Sequence, residues 1–298
     1  MADTIPPKRI FPSSKIDARA AEHVPSIPQT ESEAYKLAFQ DLDFLLREDL
    51  RPVRFQLELL KPELFLQEAK VGSTMVFYGS ARIPAPDMAD ALIEAATNDE
   101  QRLVAERLKA KSRYYDVARD LARLASRCEP DAEGMRHFVV CSGGGPSIME
   151  GANRGARDEG RDTIGLNIVL PHEQLPNSYV TPELSFQFHY FALRKMHFLL
   201  RARAVAVFPG GFGTFDEFFE LLTLIQTGKV RPLPILLFGR DFWNRVVNFE
   251  ALAEEGVIAP HDLDLIHWSE DAQEAWDHVI AFYERNPHPE PVQTAPPE

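Results

Sequence analysis

The stretch VAVFPGGFGTFDEFFELLTLIQ, residues 205–226, decides how the rest of the chain is read. Val205–Phe208 is a short unbroken apolar run, the pattern of a strand buried on both faces. Pro209, Gly210, Gly211, Phe212, Gly213 and Thr214 interrupt it. A helical pattern follows, with Phe215, Phe218, Phe219 and Leu222 on one stripe. Glycine lets backbone N–H groups approach a ligand with no Cβ in the way. The helix that follows offers unpaired N–H groups and the positive end of its dipole. The corner therefore reads as an anion cradle. Behind it stand Asp216 and Glu217. On spacing alone, Thr214-x-x-Glu217 reads as a capping box, Asp216 as a complement to the dipole, and Glu220 as a solvated charge on the Glu217 side.

The same order of strand, small-residue corner and helix recurs upstream. TMVFYGSARI (74–83) reads as a buried strand running into Gly79 and Ser80, with Arg82 just beyond. RHFVVCSGGGP (136–146) reads as a strand ending in Gly143, Gly144 and Gly145. A helix containing Met149, Asn153 and Arg154 follows, with Pro146 in its first position. TIGLNIVL, LSFQFHY, AVAVFPGG and LPILLFG supply further strands, and LDLIHWS precedes a last helix. Residues 86–128 read as helical with a break at Thr97-Asn98. Strands that alternate with helices predict an α/β fold: a Rossmann-like, doubly wound parallel sheet covered on both faces. In such sheets ligands sit beyond the carboxyl ends of the strands, where all three corners fall.

An N-terminal extension, residues 1–71, precedes this domain. Its first thirty or so residues are rich in Pro, Ser and charge and read as extended or unstructured. A helix is expected from a Thr30/Glu33 capping box, with Leu37, Leu42, Leu45 and Leu46 as its stripe, and a second, short helix after Pro52. The Rossmann-like domain is expected over 72–286, and a Pro-rich disordered tail over 287–298.

Composition narrows the functions. The chain has 298 residues, 45% of them hydrophobic, and a formal net charge of -13. Such a surface has no bulk attraction for nucleic acid or acidic membranes, so an anionic substrate needs a local positive field. Backbone dipoles at the corners supply one. Two cysteines, Cys128 and Cys141, with no metal-like spacing, suggest a reducing compartment and no metal site. No signal-peptide core and no membrane-length apolar run is present, so the expected location is the cytoplasm. Neither Gly-x-Gly-x-x-Gly nor Gly-x-x-x-x-Gly-Lys-Ser/Thr occurs; Asp216 stands where the last glycine of the former would be. Hydride transfer and ATP hydrolysis are therefore not the first reading.

PGGFGTFDE (209–217) matches the Pro-Gly-Gly-x-Gly-Thr-x-x-Glu motif of the LOG ("lonely guy") family of cytokinin riboside 5′-monophosphate phosphoribohydrolases. FALRKMHF (191–198) resembles that family's Arg-Lys segment, and VFYGSAR and CSGGGPSIMEGANRGA resemble its first two corners. The likeness covers about residues 72–285 and is of the longer bacterial type; Leu193 stands where many members have Glu. The resemblance implies hydrolysis of the N-glycosidic bond of a nucleoside 5′-monophosphate, AMP or an N6-substituted AMP, to free base and ribose 5-phosphate. It implies no redox cofactor or required metal. It also implies a homo-oligomer, dimeric or larger, in which helices of one subunit complete the neighbour's site. Its catalytic pair falls on Arg194 and Glu217. The phosphate would sit on Gly211, Gly213 and Thr214, with Pro209, Gly210, Gly79, Ser80, Arg82, Gly143, Gly144, Gly145, Met149 and Lys195 as further nucleotide-site candidates. From the residues alone, Arg194 reads as a solvent-facing helix charge, on a stripe with His197 and Arg201 opposite buried Met196, Leu199 and Leu200. His189 and His197 read as structural, Asn153 and Arg154 as surface residues, and the loop 171–177 as a base cover or a plain connection. Two other functions stay open. One is a non-catalytic nucleotide or cofactor carrier on the same fold. The other is an amino-acid decarboxylase, which would need pyridoxal phosphate and for which Lys195 is the only lysine near a motif.

Overall fold

The computed structural model describes Phe11, residues 13–171 and residues 175–287. The expected tail from residue 288 on, the first ten residues and part of the 171–177 loop lie outside the described residues. The chain separates into two compact units at Glu58/Leu59, a division that falls within one long helix.

The N-terminal unit contains α1 (Ser14–Ala21), α2 (Leu42–Leu45) and the start of α3 (Arg51–Glu68). The segment read as extended thus carries a helix, α1, which buries none of its residues. The helix expected from Thr30 does not form. Thr30 Oγ1 instead donates to the carbonyls of Pro25 at 2.8 Å and Ile27 at 3.0 Å, closing a local turn. A single 3₁₀ turn with Ser32 as cap follows, and Asp41 starts the four-residue α2 by accepting from Phe44 N at 3.0 Å. Leu37 is out of helical register with Leu42, Leu45 and Leu46, and Leu42 and Leu46 stay exposed. The helix expected after Pro52 is longer than its reading, because Pro52 in the first turn gives up only an N–H that has no helical partner.

The second unit is built on a seven-stranded, all-parallel sheet: β1 (Thr74–Tyr78), β2 (Val139–Ser142), β3 (Ile164–Ile168), β4 (Ser185–Phe188), β5 (Ala202–Val207), β6 (Ile235–Phe238) and β7 (Ile266–Ser269). Their order is β4-β3-β2-β1-β5-β6-β7. Successive strands are added outward from β1 on one side as far as β4, and then β5 returns to the other side of β1. The order therefore reverses between β1 and β5, which makes a topological switch point there.

Alternating residues feed two cores. Val76 and Tyr78 of β1, Val205 and Val207 of β5 and Leu237 of β6 face a layer closed by α8 (Phe191–Leu200), α9 (Phe212–Gln226) and α10 (Arg240–Val246). Met75, Phe77, Ala204, Ala206 and Leu236 face the other layer, closed by α6 (Arg113–Ser126), α7 (Ile148–Asp158) and α12 (Ala272–Arg285). Both faces are covered, which is why the strands read as continuous apolar runs. Three further helices, α4 (Ala89–Glu94), α5 (Asp99–Lys109) and α11 (Phe249–Glu254), belong to the unit. The break between α4 and α5 falls at Thr97-Asn98, where Asn98 caps α5 by accepting from Gln101 N at 2.9 Å. No described helix is long and apolar enough to cross a membrane.

Candidate active site

Gly79-Ser80 follows β1, Gly143–Gly145 follows β2 and Gly210–Thr214 follows β5, so all three corners gather at the switch point. A cavity of about 890 Å³ opens among them. The first corner contributes Gly79, Ser80 and Arg82 to its wall, the second Gly143, Gly145 and Met149, and the third Gly210, Gly211, Gly213 and Thr214. Arg194 of α8 and Glu217 of α9 complete the polar lining with Asn167 of β3. Gly144, Pro209 and Lys195 lie outside the lining.

The glycines divide into two kinds. A Cβ on Gly79 would come within 2.7 Å of Ile148, and one on Gly143 within 2.6 Å of Arg194 Nη2. A Cβ on Gly210 would strike Thr214 Oγ1, and Gly144, at φ +73°, packs against Asn167 Oδ1. These four are required by the protein's own packing. At Gly211 and Gly213 a Cβ would meet nothing within 4 Å. Neither position has a left-handed backbone, so neither packing nor conformation asks for glycine there. What the missing side chains leave open is the cavity at the amino end of α9.

That helix begins with Gly211 as its cap residue, which places Thr214 inside the first turn. The capping box read from Thr214-x-x-Glu217 is therefore not present. Glu217 instead turns inward, where its Oε1 accepts from Arg194 Nη1 at 3.0 Å, both side chains being 12% exposed. Arg194 is held from two further sides. Its Nε donates to the Leu166 carbonyl at 2.7 Å, and its guanidinium lies 4.9 Å over the Phe198 ring. Burial pushes the Glu217 carboxyl up to about 7, against the opposing pull of Arg194. Tyr78, buried beside the pair, is held well above its ordinary value by burial first and by the Glu217 charge second.

The face read for α8 holds only at Leu199, which packs against the core. His197 and Phe198 are buried and Arg194 is nearly so, while Met196 and Leu200 are each 46% exposed. Lys195 points away from the cavity and pairs with Asp216 at 3.1 Å and Glu220 at 3.3 Å, so Glu220 is not simply solvated. Pro209 is buried, and its carbonyl accepts from Ser80 N at 3.0 Å, which ties the first corner to the third. Pro146 precedes the cap residue Ser147 of α7 instead of opening the helix. Asn153, read as a surface residue, is fully buried. Arg154 is half-buried, 5.6 Å over the Tyr179 ring. His197 packs 5.4 Å from Phe188 in the core. Among the described residues the one cluster with metal-like spacing is Glu33, Asp41 and Asp43, in the N-terminal unit; none of the three lines this cavity.

The apolar side of the cavity was not legible beforehand. Ile168, Leu170, Phe191, Phe212, Phe242 and Val246 line it, and Phe212 is 95% exposed. Phe242 and Val246 arrive on α10, whose first N–H groups, Gly239 and Arg240, donate to Glu270 Oε1 at 3.1 and 2.9 Å. Asn167 also escaped notice; its amide donates to the Phe186 carbonyl at 3.1 Å. The alternation of β3 points Asn167 at the cavity, but nothing in one strand marks which polar residue faces a ligand.

Fold and site together define a Rossmann-like α/β protein with a crevice at its switch point that opens onto one helix amino end and holds a buried Arg–Glu pair beside it. A family model described as "Possible lysine decarboxylase" matches residues 149–279. A probable cytokinin riboside 5′-monophosphate phosphoribohydrolase of Oryza sativa subsp. japonica is 29% identical, over 58% of this chain and 78% of that one. A cytokinin riboside 5′-monophosphate phosphoribohydrolase of Arabidopsis thaliana is 28% identical, over 55% of this chain and 73% of that one. The solved molybdenum cofactor carrier protein of Chlamydomonas reinhardtii is 16% identical over 70% of this chain and 99% of that one, with a TM-score of 0.38. The LOG-family likeness read from the motifs thus holds in both the family model and the curated relatives.

Proposed function

We propose that the protein hydrolyses the N-glycosidic bond of a nucleoside 5′-monophosphate, AMP or an N6-substituted AMP, to the free base and ribose 5-phosphate. The observation that carries this reading is the pair Gly211 and Gly213, open to the cavity at the amino end of α9, one turn before Glu217 in its ion pair with Arg194. A monophosphate on the amides of Gly211, Gly213 and Thr214 brings the sugar beside the acid and the guanidinium. Glycosidic cleavage passes through an oxocarbenium-like state, which the Glu217 carboxylate stabilises while it holds the ribose hydroxyls or a water. Arg194 offers positive charge to the departing base but is a poor proton donor. The relatives named as phosphoribohydrolases support the reading.

The decarboxylase label finds no support in the site. Such chemistry needs a lysine to hold pyridoxal phosphate as a Schiff base. Among the described residues no lysine lines the cavity, and Lys195 is engaged by two carboxylates. A carrier needs the glycine cradle but has no use for the Arg194–Glu217 pair. The test is incubation with AMP, other nucleoside monophosphates and isopentenyl-AMP, with free base followed by chromatography. Glu217→Gln and Arg194→Ala should bind nucleotide but release base about 10²–10³-fold more slowly. Full turnover in both variants overturns the assigned roles, and nucleotide binding without base release in the unmodified protein favours the carrier.

A further inference from the structure

We infer that Asn177 is a positioning residue that aims the Gly145 N–H into the cavity as a donor to the base of the bound nucleotide. The inference rests on the nucleotide reading above and extends it to the second corner. Asn177 N donates to the Gly144 carbonyl at 2.8 Å, and its Nδ2 donates to the same carbonyl at 3.2 Å and to the Gly145 carbonyl at 2.9 Å. The orientation of this amide is fixed from both ends. Its Oδ1 accepts from Tyr179 N at 3.2 Å, and its Nδ2 donates to Asn153 Oδ1 at 2.9 Å. Asn153 is oriented in turn, because its Oδ1 also accepts from Ser142 Oγ at 2.7 Å and its Nδ2 donates to Thr163 Oγ1 at 2.6 Å.

The Gly144–Gly145 peptide is trans, so its C=O and N–H point in opposite directions. With the carbonyl fastened to Asn177, the Gly145 N–H faces the other way. Gly145 lines the cavity and Gly144 does not, which agrees with that geometry. Among the described residues no acceptor takes the Gly145 N–H, although the neighbouring Gly144 N–H is bound by Ser142 Oγ at 3.0 Å. An oriented donor left open toward a cavity is suited to a ligand acceptor. The phosphate occupies the third corner in the reading above, so the second corner meets the base.

The test compares two ligands that share the phosphate and differ in the base: AMP and ribose 5-phosphate. In a Glu217→Gln background, which binds nucleotide but releases base slowly, the Gly145 amide proton should shift downfield in NMR spectra when AMP is added and stay in place with ribose 5-phosphate. When Asn177→Ala or Asn177→Asp is added to that background, calorimetry should show ribose 5-phosphate affinity within about twofold of the background protein and AMP affinity about tenfold weaker. Equal losses for both ligands, no loss for either, or an unmoved Gly145 amide would overturn the inference. Absence of base release by the unmodified protein would sink the hydrolase reading alone, because the two binding contrasts do not depend on turnover.

Discussion

Glu217 carries two opposite responses to pH. Burial raises its carboxyl from 4.5 to about 7. If the ionised form steadies the oxocarbenium-like state, kcat/KM falls as pH drops through about 7. Arg194→Ala removes the cation that opposes this shift, so the acid limb of the residual activity should move to higher pH. Stability runs the other way. The folded state binds this proton more tightly than the unfolded state, so between 4.5 and about 7 the unfolding free energy declines as pH rises. The full cost, on the order of 2–4 kcal/mol, remains above that window. Urea midpoints at about pH 5 and about pH 8 should show this slope in the unmodified protein and its loss in Glu217→Gln. An identical slope in both would mean that Glu217 is not the group whose proton is linked to folding.

At the scale of elements, the corners separate glycines that serve packing from glycines that leave the cavity open, and substitution should test the ligand role proposed for the second kind. Gly213→Ala adds a methyl to open space in the first turn of α9. Melting should be unchanged or slightly raised, since alanine is the better helix former, while ribose 5-phosphate affinity falls by about tenfold. Gly155→Ala, in α7, drives a Cβ into the Arg119 backbone carbonyl of α6 and should cost about 1–3 kcal/mol of stability without changing the affinity of the folded molecules. Loss of phosphate affinity in the second variant but not the first would reverse the assignment. That the corners exist was legible in the sequence, because glycine runs punctuate apolar strands. Which glycine does what was not, because it depends on what stands across the gap: Arg194 opposite Gly143, Asn167 opposite Gly144, nothing opposite Gly211. The α8 face was misread for a related reason. Amphipathic reasoning turns charge outward, but here the cavity claims Arg194 from within and leaves Met196 and Leu200 outside. Asn153 was misread because a buried amide is invisible until its partners, Ser142, Thr163 and Asn177, come together from separate elements.

For the whole molecule, the proposed function requires a chain with 45 acidic and 32 basic residues to attract a dianionic nucleotide. The distant charges repel it, and the cavity wall offers Arg82 and the already paired Arg194. If the phosphate is held chiefly by peptide dipoles, the attraction is short-ranged and little affected by salt. The repulsion is long-ranged and is screened once the Debye length shrinks to about 10 Å near 0.1 M ionic strength. Raising sodium chloride from about 0.01 M to about 0.1 M should therefore increase kcat/KM for AMP severalfold, mainly through faster association. A site built from lysine and arginine side chains would show the reverse, a steep loss with salt. Initial rates across that range separate the two designs, with a neutral nucleoside as the control whose weak binding should not respond. A falling profile for AMP would show that side-chain cations, Arg82 first among them, outweigh the backbone cradle.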